Sequence, residues 1–188
     1  MYLRTRGFIT LLVSVVAGSA ASPSVPGITN FAEVNQKVCR GGQPTGEGFK
    51  HLSEIGIKVV LDLREHDQRS LSEEQVVTAD GMRYINVPMT GLTPPTLVEI
   101  GKILSLLEDP SADRVFVHCK RGADRTGAVI AAYRVDHDGW DNVRALREAL
   151  AHGMGTLQFP RKRFIRTFQA RVKVAGPATV GAGAGAGN

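Results

Sequence analysis

The residues best suited to chemistry lie together in the stretch VFVHCKRGADRTGAVIAAY, from Val115 to Tyr133. An apolar run leads into Cys119, and Arg125 and Thr126 open a second apolar run. Cysteine is a nucleophile only as the thiolate, and its ordinary pKa of about 8.5 leaves little thiolate at neutral pH. A loop that joins a strand to a helix N-terminus brings backbone N–H groups and the helix dipole to one point, which favours negative charge. The stretch therefore predicts an activated thiolate beside an oxyanion site.

This loop predicts attack on a phosphate monoester, which requires a nucleophile and a site that accepts negative charge on three oxygens. We expect Cys119 to be the nucleophile and Arg125 to hold two phosphate oxygens with its planar guanidinium. The Thr126 hydroxyl can donate to the sulfur and assist its departure, and His118 is predicted to order the loop by hydrogen bonding. The expected phosphate-binding residues are those of the loop itself: Lys120, Arg121, Gly122, Ala123, Asp124 and Arg125.

The full string HC-x-x-G-x-x-R-T-G is more specific than its cysteine-to-arginine spacing. In so arginine-rich a chain, that spacing would arise by chance for about one cysteine in ten. The alternative is that Cys119 is a buried small residue in an ordinary strand-to-helix turn, but this leaves the histidine and the arginine without a purpose.

Strands and helices are predicted to alternate along the chain. Strands are predicted around 38–40, 57–63, 82–89 and 113–118, and helices at 45–55, 72–81, 94–108, 126–136, 140–151 and 159–171. This order predicts one α/β domain, with a mostly parallel central sheet flanked by helices and the phosphate-binding loop between a strand and a helix. The domain is expected to span residues 28–174, which is long enough for one core without metal or disulfide.

The two ends of the chain differ from the domain in composition. Arginines precede the apolar run Phe8–Ala17, and small residues follow it. This pattern is typical of a signal peptide, predicted over residues 1–21 with cleavage near Ala20 or Ala21, and so of an exported, periplasmic or secreted protein. About ten apolar residues are too few to cross a bilayer, so we expect no stable membrane span after cleavage. Residues 175–188 are rich in Gly and Ala and are expected to form a disordered tail.

Composition limits the partners. The formal net charge is +5, and no basic face with interleaved aromatic residues is evident, so nucleic acid is not an expected partner. The basic run RKRF, Arg161–Phe164, is expected to be a solvated helix face or a contact with an anionic membrane or polyphosphate. Neither a metal nor a cofactor is expected, because four histidines share no metal-ligand spacing with one another or with acids: His51, His66, His137 and His152.

HCKRGADRTG resembles the signature loop of the cysteine-dependent protein tyrosine and dual-specificity phosphatases. VCRGGQPTGEGFKHLSEIGIKVVLDLR, residues 38–64, is similar to the opening of the atypical dual-specificity branch of bacteria, plants and fungi. The resemblance implies a phosphomonoester hydrolase with a cysteinyl-phosphate intermediate on Cys119. It also implies that Arg64 lies near the site as an orienting group, the alternative being a surface salt bridge. Phosphorylated proteins, phosphoinositides and inositol phosphates are the implied substrates, and CKRG is similar to the loop of members that act on inositol pyrophosphates.

The general acid departs from the family pattern. Such phosphatases usually carry an aspartate about thirty residues before the cysteine, which protonates the leaving oxygen. Here that region is NVPMTGLTPPT, which contains no acid. Asp124 is the nearest substitute and resembles the in-loop aspartate of myotubularin-like lipid phosphatases, although it could simply cap the following helix. Without an acid the chain would be a catalytically weak, phosphate-binding pseudophosphatase module. A rhodanese-like sulfur carrier lacks the Arg-Thr-Gly ending, and an arsenate reductase places its cysteine near the N-terminus.

Cys39 is the second of the two cysteines. It could form a disulfide with Cys119 and protect that thiolate from over-oxidation in an oxidising compartment. The alternative is a buried free cysteine that acts as a small apolar residue.

Overall fold

The computed structural model describes residues 25–109 and 113–171. The predicted signal peptide (1–21), the predicted tail (175–188) and the last three residues of the predicted domain lie outside them. Within the described part of the chain, no helix is both long and apolar enough to cross a membrane.

A single sheet of five strands organises the described residues. Its strands are β1 (Ala32–Glu33), β2 (Val38–Gly41), β3 (Val59–Asp62), β4 (Arg83–Asn86) and β5 (Val115–His118). Their order across the sheet is β1-β2-β5-β3-β4. The pairs β2–β5, β5–β3 and β3–β4 are parallel, and β1 alone pairs in the antiparallel sense. The mostly parallel sheet is confirmed, whereas the two-residue edge strand β1 was too short for a sequence pattern to show.

The described residues form six helices: α1 (Gly46–Glu54), α2 (Gln68–Ala79), α3 (Leu97–Glu108), α4 (Asp124–Asp136), α5 (Asn142–Ala151) and α6 (Phe159–Thr167). The predicted start of α2 at Ser72 is wrong, because Asp67 and Ser70 form a capping box that begins the helix earlier. The predicted end of α6 near Arg171 is also wrong. There the Asn142 side-chain amide donates to two carbonyls at the end of α6, which ends the helix at Thr167.

The core lies on both faces of the sheet. Val60 and Phe116 point toward α1 and α2, and their neighbours Leu61 and Val117 point toward α3 and α4. Strands buried on both faces explain the nearly continuous apolar runs of the sequence. Helices α5 and α6 pack on the outer side of α4 through a third apolar cluster.

The strand register brings three connections to one edge of the sheet. His118 at the end of β5 lies opposite Gly41 of β2 and Asp62 of β3. The segments that follow these three residues therefore meet at the carboxyl ends of parallel strands, where sheets of this kind bind ligands.

Candidate active site

The loop between β5 and α4 packs tightly against the end of β2. Cys119 follows β5 directly and is only 3% exposed. Gly122 has φ +67°, and a Cβ atom there would lie 2.3 Å from the carbonyl carbon of Gly41. Only glycine fits both this backbone conformation and this close approach.

Three successive carbonyls of the loop are held from the β2 side. The backbone N–H of Gln43 donates to the Lys120 carbonyl (3.2 Å). The side-chain amide of Asn30 donates to the Arg121 carbonyl (3.3 Å), and Arg40 Nη2 donates to the Gly122 carbonyl (2.8 Å). Across a trans peptide the carbonyl and the following N–H point in opposite directions. The amides of residues 121–123 therefore point away from β2, and the loop forms a cradle of N–H groups for an oxyanion.

Arg40 places a buried cation behind this loop. Arg40 is 1% exposed, and within the described residues its Nε and Nη1 atoms have no hydrogen-bond partner. Burial lowers the pKa of Arg40 to about 10, and the negative charges of Glu148 and of the Cys119 thiolate oppose that shift. The side chain is still charged at neutral pH. Sequence reasoning used VCRGGQP only as a family resemblance and missed this role.

The Cys119 thiol is acidic. Burial by itself raises its pKa, but hydrogen bonds from the Thr126 hydroxyl and amide, the positive charge of Arg125 and the Arg121 amide outweigh burial. The pKa of Cys119 is consequently below its ordinary value. Thr126 is fully buried, and its hydroxyl has no other partner among the described residues, so it is available to the sulfur.

Arg125 is anchored by one corner of its guanidinium. Nη1 donates to the Met89 carbonyl (3.2 Å) and to Glu65 Oε2 (3.0 Å), and lies 3.5 Å from the Leu63 carbonyl. Within the described residues, Nε and Nη2 make no hydrogen bond. This leaves one edge of the fork for two phosphate oxygens. Glu65, which the sequence analysis did not select, holds Arg125 through the connection that follows β3.

Asp124 links the loop to the α5–α6 connection. Its Oδ2 accepts from Arg121 Nη2 (2.6 Å), and its Oδ1 accepts from the Gly155 amide (2.8 Å). It lies in the first turn of α4 without capping it, because the N-cap position belongs to Ala123. Both carboxylate oxygens are thus engaged, and the role of Asp124 as general acid stays a prediction.

His118 belongs to a buried polar network beside the loop. Its ring stacks on Phe116, and its Nε2 lies 2.7 Å from Glu73 Oε1 and 3.8 Å from Asp62 Oδ1. Arg64 pairs with both of these carboxylates. Its side chain is 12% exposed, which excludes a simple surface salt bridge. In the described residues Arg64 makes no direct contact with the loop; it is linked to the loop through Glu73 and His118.

The ligand atoms of Asp62, Glu73 and His118 lie within 4.8 Å of one another, close enough to share an ion. The Arg64 guanidinium already supplies the positive charge between the two carboxylates. Burial alone would raise the pKa of Asp62. The hydrogen bond from Arg64 and the electrostatic interaction with His118 outweigh burial, so the pKa of Asp62 is below its ordinary value. These residues fit an arginine-centred network, and the absence of a metal remains a prediction.

The proposed Cys39–Cys119 disulfide is wrong for this fold. Cys39 pairs with Phe116 in the parallel register, three residues before Cys119. Three residues of strand span about 10 Å, whereas the Cα atoms of a disulfide lie about 4.4–6.8 Å apart. The two thiols also belong to cores on opposite faces of the sheet. Cys39 is a buried free cysteine, and burial raises its pKa.

Arg161 corrects the prediction of a solvated RKRF face. The residue is fully buried, and it donates to the carbonyls of Gly91 (2.8 Å) and Thr90 (2.6 Å). Burial lowers the pKa of Arg161. The charges of Asp124 and Cys119 oppose this shift, and the charge of Arg125 adds to it. Arg161 and Arg125 therefore hold three successive residues of the β4–α3 connection, from Met89 to Gly91.

Comparison with known proteins adds to this geometry. Residues 22–167 match a family model described as a DSP-PTPase phosphatase fused to NAD+ kinase. The dual specificity protein phosphatase TpbA of Pseudomonas aeruginosa strain UCBPP-PA14 is 29% identical over 140 residues, which cover 72% of this chain and 58% of TpbA. Inositol diphosphatase SIW14 of Saccharomyces cerevisiae is 30% identical over 113 residues, or 56% of this chain and 39% of SIW14. The chain thus spans just over half of the length of TpbA and less than half of the length of SIW14.

Solved structures share the fold. The core catalytic domain of the PP-IP phosphatase SIW14 from S. cerevisiae superposes with a TM-score of 0.67 at 26% identity, covering 78% of this chain and 89% of that one. The crystal structure of P. aeruginosa TpbA gives a TM-score of 0.66 at 22% identity, covering 77% and 88%. The architecture predicted from the alternating strands and helices is that of these phosphatases.

Proposed function

The chain belongs to the DSP-PTPase phosphatase family, and from this premise we propose that it hydrolyses phosphate monoesters through a cysteinyl-phosphate intermediate on Cys119. The observation that carries the proposal is the acidic thiol at the base of an N–H cradle, in which three successive loop carbonyls are held from behind. Arg125, whose Nε and Nη2 make no hydrogen bond to other described residues, lies beside that thiol. A thiolate, a set of amides and a guanidinium fork suit one phosphoryl group.

The two chemical steps follow from this geometry. The Cys119 thiolate attacks phosphorus, the S–P bond forms, and the bond from phosphorus to the ester oxygen breaks. The leaving oxygen takes a proton from a general acid or from water. Water then attacks the phosphocysteine and gives a proton to the base left by the general acid or to solvent. The S–P bond breaks with its electrons returning to sulfur, and the Thr126 hydroxyl stabilises the restored thiolate. Arg125 and the loop amides bind the equatorial oxygens throughout.

Asp124 is our proposed general acid. Its side chain is near the loop, and the β4–α3 connection that carries the usual aspartate in the family has no carboxylate here. In the structure Arg121 donates a hydrogen bond to Oδ2 of Asp124. Arg121 must turn away, for instance to pair with a substrate phosphate, before this oxygen can carry a proton. Arg121, whose side chain is 60% exposed, is free to make that exchange.

We propose phosphotyrosine proteins or inositol phosphates as the substrate class. Among the relatives, TpbA is a dual specificity protein phosphatase and SIW14 an inositol diphosphatase. The exposed cations Lys120 and Arg121 flank the cradle and suit a substrate with more than one phosphate.

One panel of substrates tests the activity. The full chain and its Cys119→Ser variant are assayed against phosphotyrosine peptides, phosphoinositides and soluble inositol phosphates. We expect phosphate release from at least one class by the full chain, none above background by the variant, and a phosphocysteine that can be trapped by acid quench. Absence of release from every class would overturn the proposal and favour a phosphate-binding module, for which the acid-free β4–α3 connection is the supporting observation.

The acid is tested by varying the leaving group. Asp124→Asn should leave hydrolysis of p-nitrophenyl phosphate nearly intact, because that leaving group needs little protonation. Hydrolysis of an alkyl phosphate should fall by about 100-fold or more, the usual size of general-acid catalysis. Equal losses on both substrates would instead give Asp124 a structural role in the loop.

We also propose that the protein is exported with cleavage near Ala20 or Ala21, on the sequence pattern of residues 1–21 alone. Expression of the full chain in a bacterium with separation of periplasm and cytoplasm tests this. A product in the cytoplasm that retains Met1 by mass spectrometry would refute it.

A further inference from the structure

The most exposed large apolar side chains of the described residues gather at one place. Leu157 is 78% exposed, Leu92 76%, Leu97 73%, Val98 68% and Phe159 67%. They belong to two short stretches, the β4–α3 connection with the start of α3, and the segment that opens α6. Clustering of this kind marks an interaction surface, whereas single exposed apolar residues are ordinary.

Two adjoining concavities join these stretches. One is lined by Pro94, Phe159, Pro160 and Arg163, the other by Leu97, Ile100 and Phe168, and both share Phe164 and Thr167. Leu97 and Phe159 line these concavities, and Leu92, Val98 and Leu157 adjoin them in sequence, so we treat the two stretches and the concavities as one face between α3 and α6. We call this the α3–α6 surface, comprising residues 92–98, 157–159 and the exposed side of α6.

The stretches that form this surface contain many more basic than acidic residues. Residues 157–171 contain no Asp or Glu and five cations: Arg161, Lys162, Arg163, Arg166 and Arg171. Arg161 is buried, and Arg171 pairs with Glu108 and Asp136. Of the five, Arg163 and Arg166 are exposed on α6. The segment from Val87 to Val98 also contains no acid, and Glu99, which follows it, is turned back to cap α3 at Thr96. The surface is therefore apolar at its centre and cationic at its edge.

The α3–α6 surface borders the candidate active site. Arg125 holds the Met89 carbonyl and Arg161 holds those of Thr90 and Gly91. Leu92 follows directly. A partner seated on the surface would thus lie beside the phosphate cradle.

We propose that the α3–α6 surface docks on the face of an anionic lipid bilayer. An apolar centre inserts at the boundary between headgroups and acyl chains, while flanking Lys and Arg side chains pair with lipid phosphates. A second copy of the chain fits less well, because two such surfaces would bring Arg163 and Arg166 against like charges. The docking is peripheral and goes beyond the proposed hydrolysis, since it needs neither Cys119 nor turnover.

Vesicle sedimentation tests the proposal with the full chain. Vesicles of phosphatidylcholine alone are compared with vesicles containing phosphatidylglycerol, at low and high salt. We expect binding to the anionic vesicles that weakens with salt. Leu157→Asp with Phe159→Asp should lower the partition coefficient by about tenfold or more, since each exposed side chain loses its transfer into the interface. Lys162→Gln with Arg163→Gln should lower binding to anionic vesicles only.

Leu71→Asp is the matched control, because Leu71 is 41% exposed but lies on α2, across the sheet. This control should bind like the unaltered chain, and all variants should keep hydrolysis of p-nitrophenyl phosphate, which reports an intact fold. Three results would overturn the proposal. The first is no binding to either vesicle, and the second is binding that the α3–α6 variants leave unchanged, which would assign it to the apolar run Phe8–Ala17. The third is light scattering that shows a dimer which is lost in Leu157→Asp.

Discussion

Arg40 and Cys119 form an opposed charge pair with the phosphate loop between them. The arginine holds the Gly122 carbonyl from behind, and the thiolate lies on the concave side. A buried arginine with two donors left unpaired in the described residues is costly. The loop explains why such a residue is useful, because the same side chain orients a peptide and adds positive potential where an anion must form.

Replacement of Arg40 by Met should raise the pKa of the Cys119 thiol and slow turnover. A hydrogen bond to a charged group contributes about 1.5–3 kcal/mol, which corresponds to roughly a 10- to 100-fold loss in rate. The pH dependence of iodoacetamide labelling measures the thiol directly. Arg40→Lys is the control: it keeps the charge and should retain part of the acidity. An unchanged labelling profile in Arg40→Met would show that Arg40 is merely structural.

The acidity of Cys119 should also make stability depend on pH. The unfolded chain has an ordinary thiol pKa of about 8.5, and the folded pKa is lower. Between these two values the unfolded state binds more protons, so the free energy of unfolding rises with pH. The contribution is complete above about pH 8.5 and is lost as pH falls through the folded pKa. Urea unfolding of the unaltered chain and of Cys119→Ser should diverge in this direction, and a difference independent of pH would contradict it.

The β4–α3 connection is the element that most depends on side chains from elsewhere. Arg161 binds its Thr90 and Gly91 carbonyls, and the same arginine is buried against the site. Arg161→Met removes both hydrogen bonds to these carbonyls, and a hydrogen bond to a charged group contributes about 1.5–3 kcal/mol. We expect faster amide exchange at residues 90–93 and a lower kcat, because Arg125 also rests on this segment. Arg166→Met, an exposed change on the same helix, should alter neither.

The elements themselves were largely predictable, because burial on both faces of a parallel sheet produces apolar runs that the sequence shows directly. The grouping of Cys119, Arg125 and Thr126 was predictable for a different reason, because these residues lie within eight positions of one another in the sequence. Arg40, Glu65 and Arg161 were not, since they reach the site from β2, from the segment after β3 and from α6. Only the packing of the whole fold brings them together. The disulfide hypothesis failed for the same reason, as the register separates Cys39 from Cys119 along the strands.

At the scale of the whole molecule, three connections and one helix are joined at a single ligand site. The end of β2 and the segment after it brace the loop through Arg40 and Gln43. The segment after β3 holds Arg125 through Glu65, and α6 fixes the β4–α3 connection through Arg161. A ligand that binds Arg125 and the loop amides therefore stabilises contacts across most of the sheet edge. Binding should be visible in global unfolding.

Inorganic phosphate should raise the melting temperature of the full chain. A ligand that binds only the folded state at about 100 times its Kd adds about 2.7 kcal/mol to the free energy of unfolding. Cys119→Ser should keep this effect, because the amides and Arg125 remain. Arg125→Lys should lose most of it, since a point charge cannot replace the planar fork. Thermal unfolding over a phosphate series, with chloride at equal ionic strength as the reference, measures the shift. An equal shift in Arg125→Lys would place the bound phosphate elsewhere and remove the guanidinium from the site.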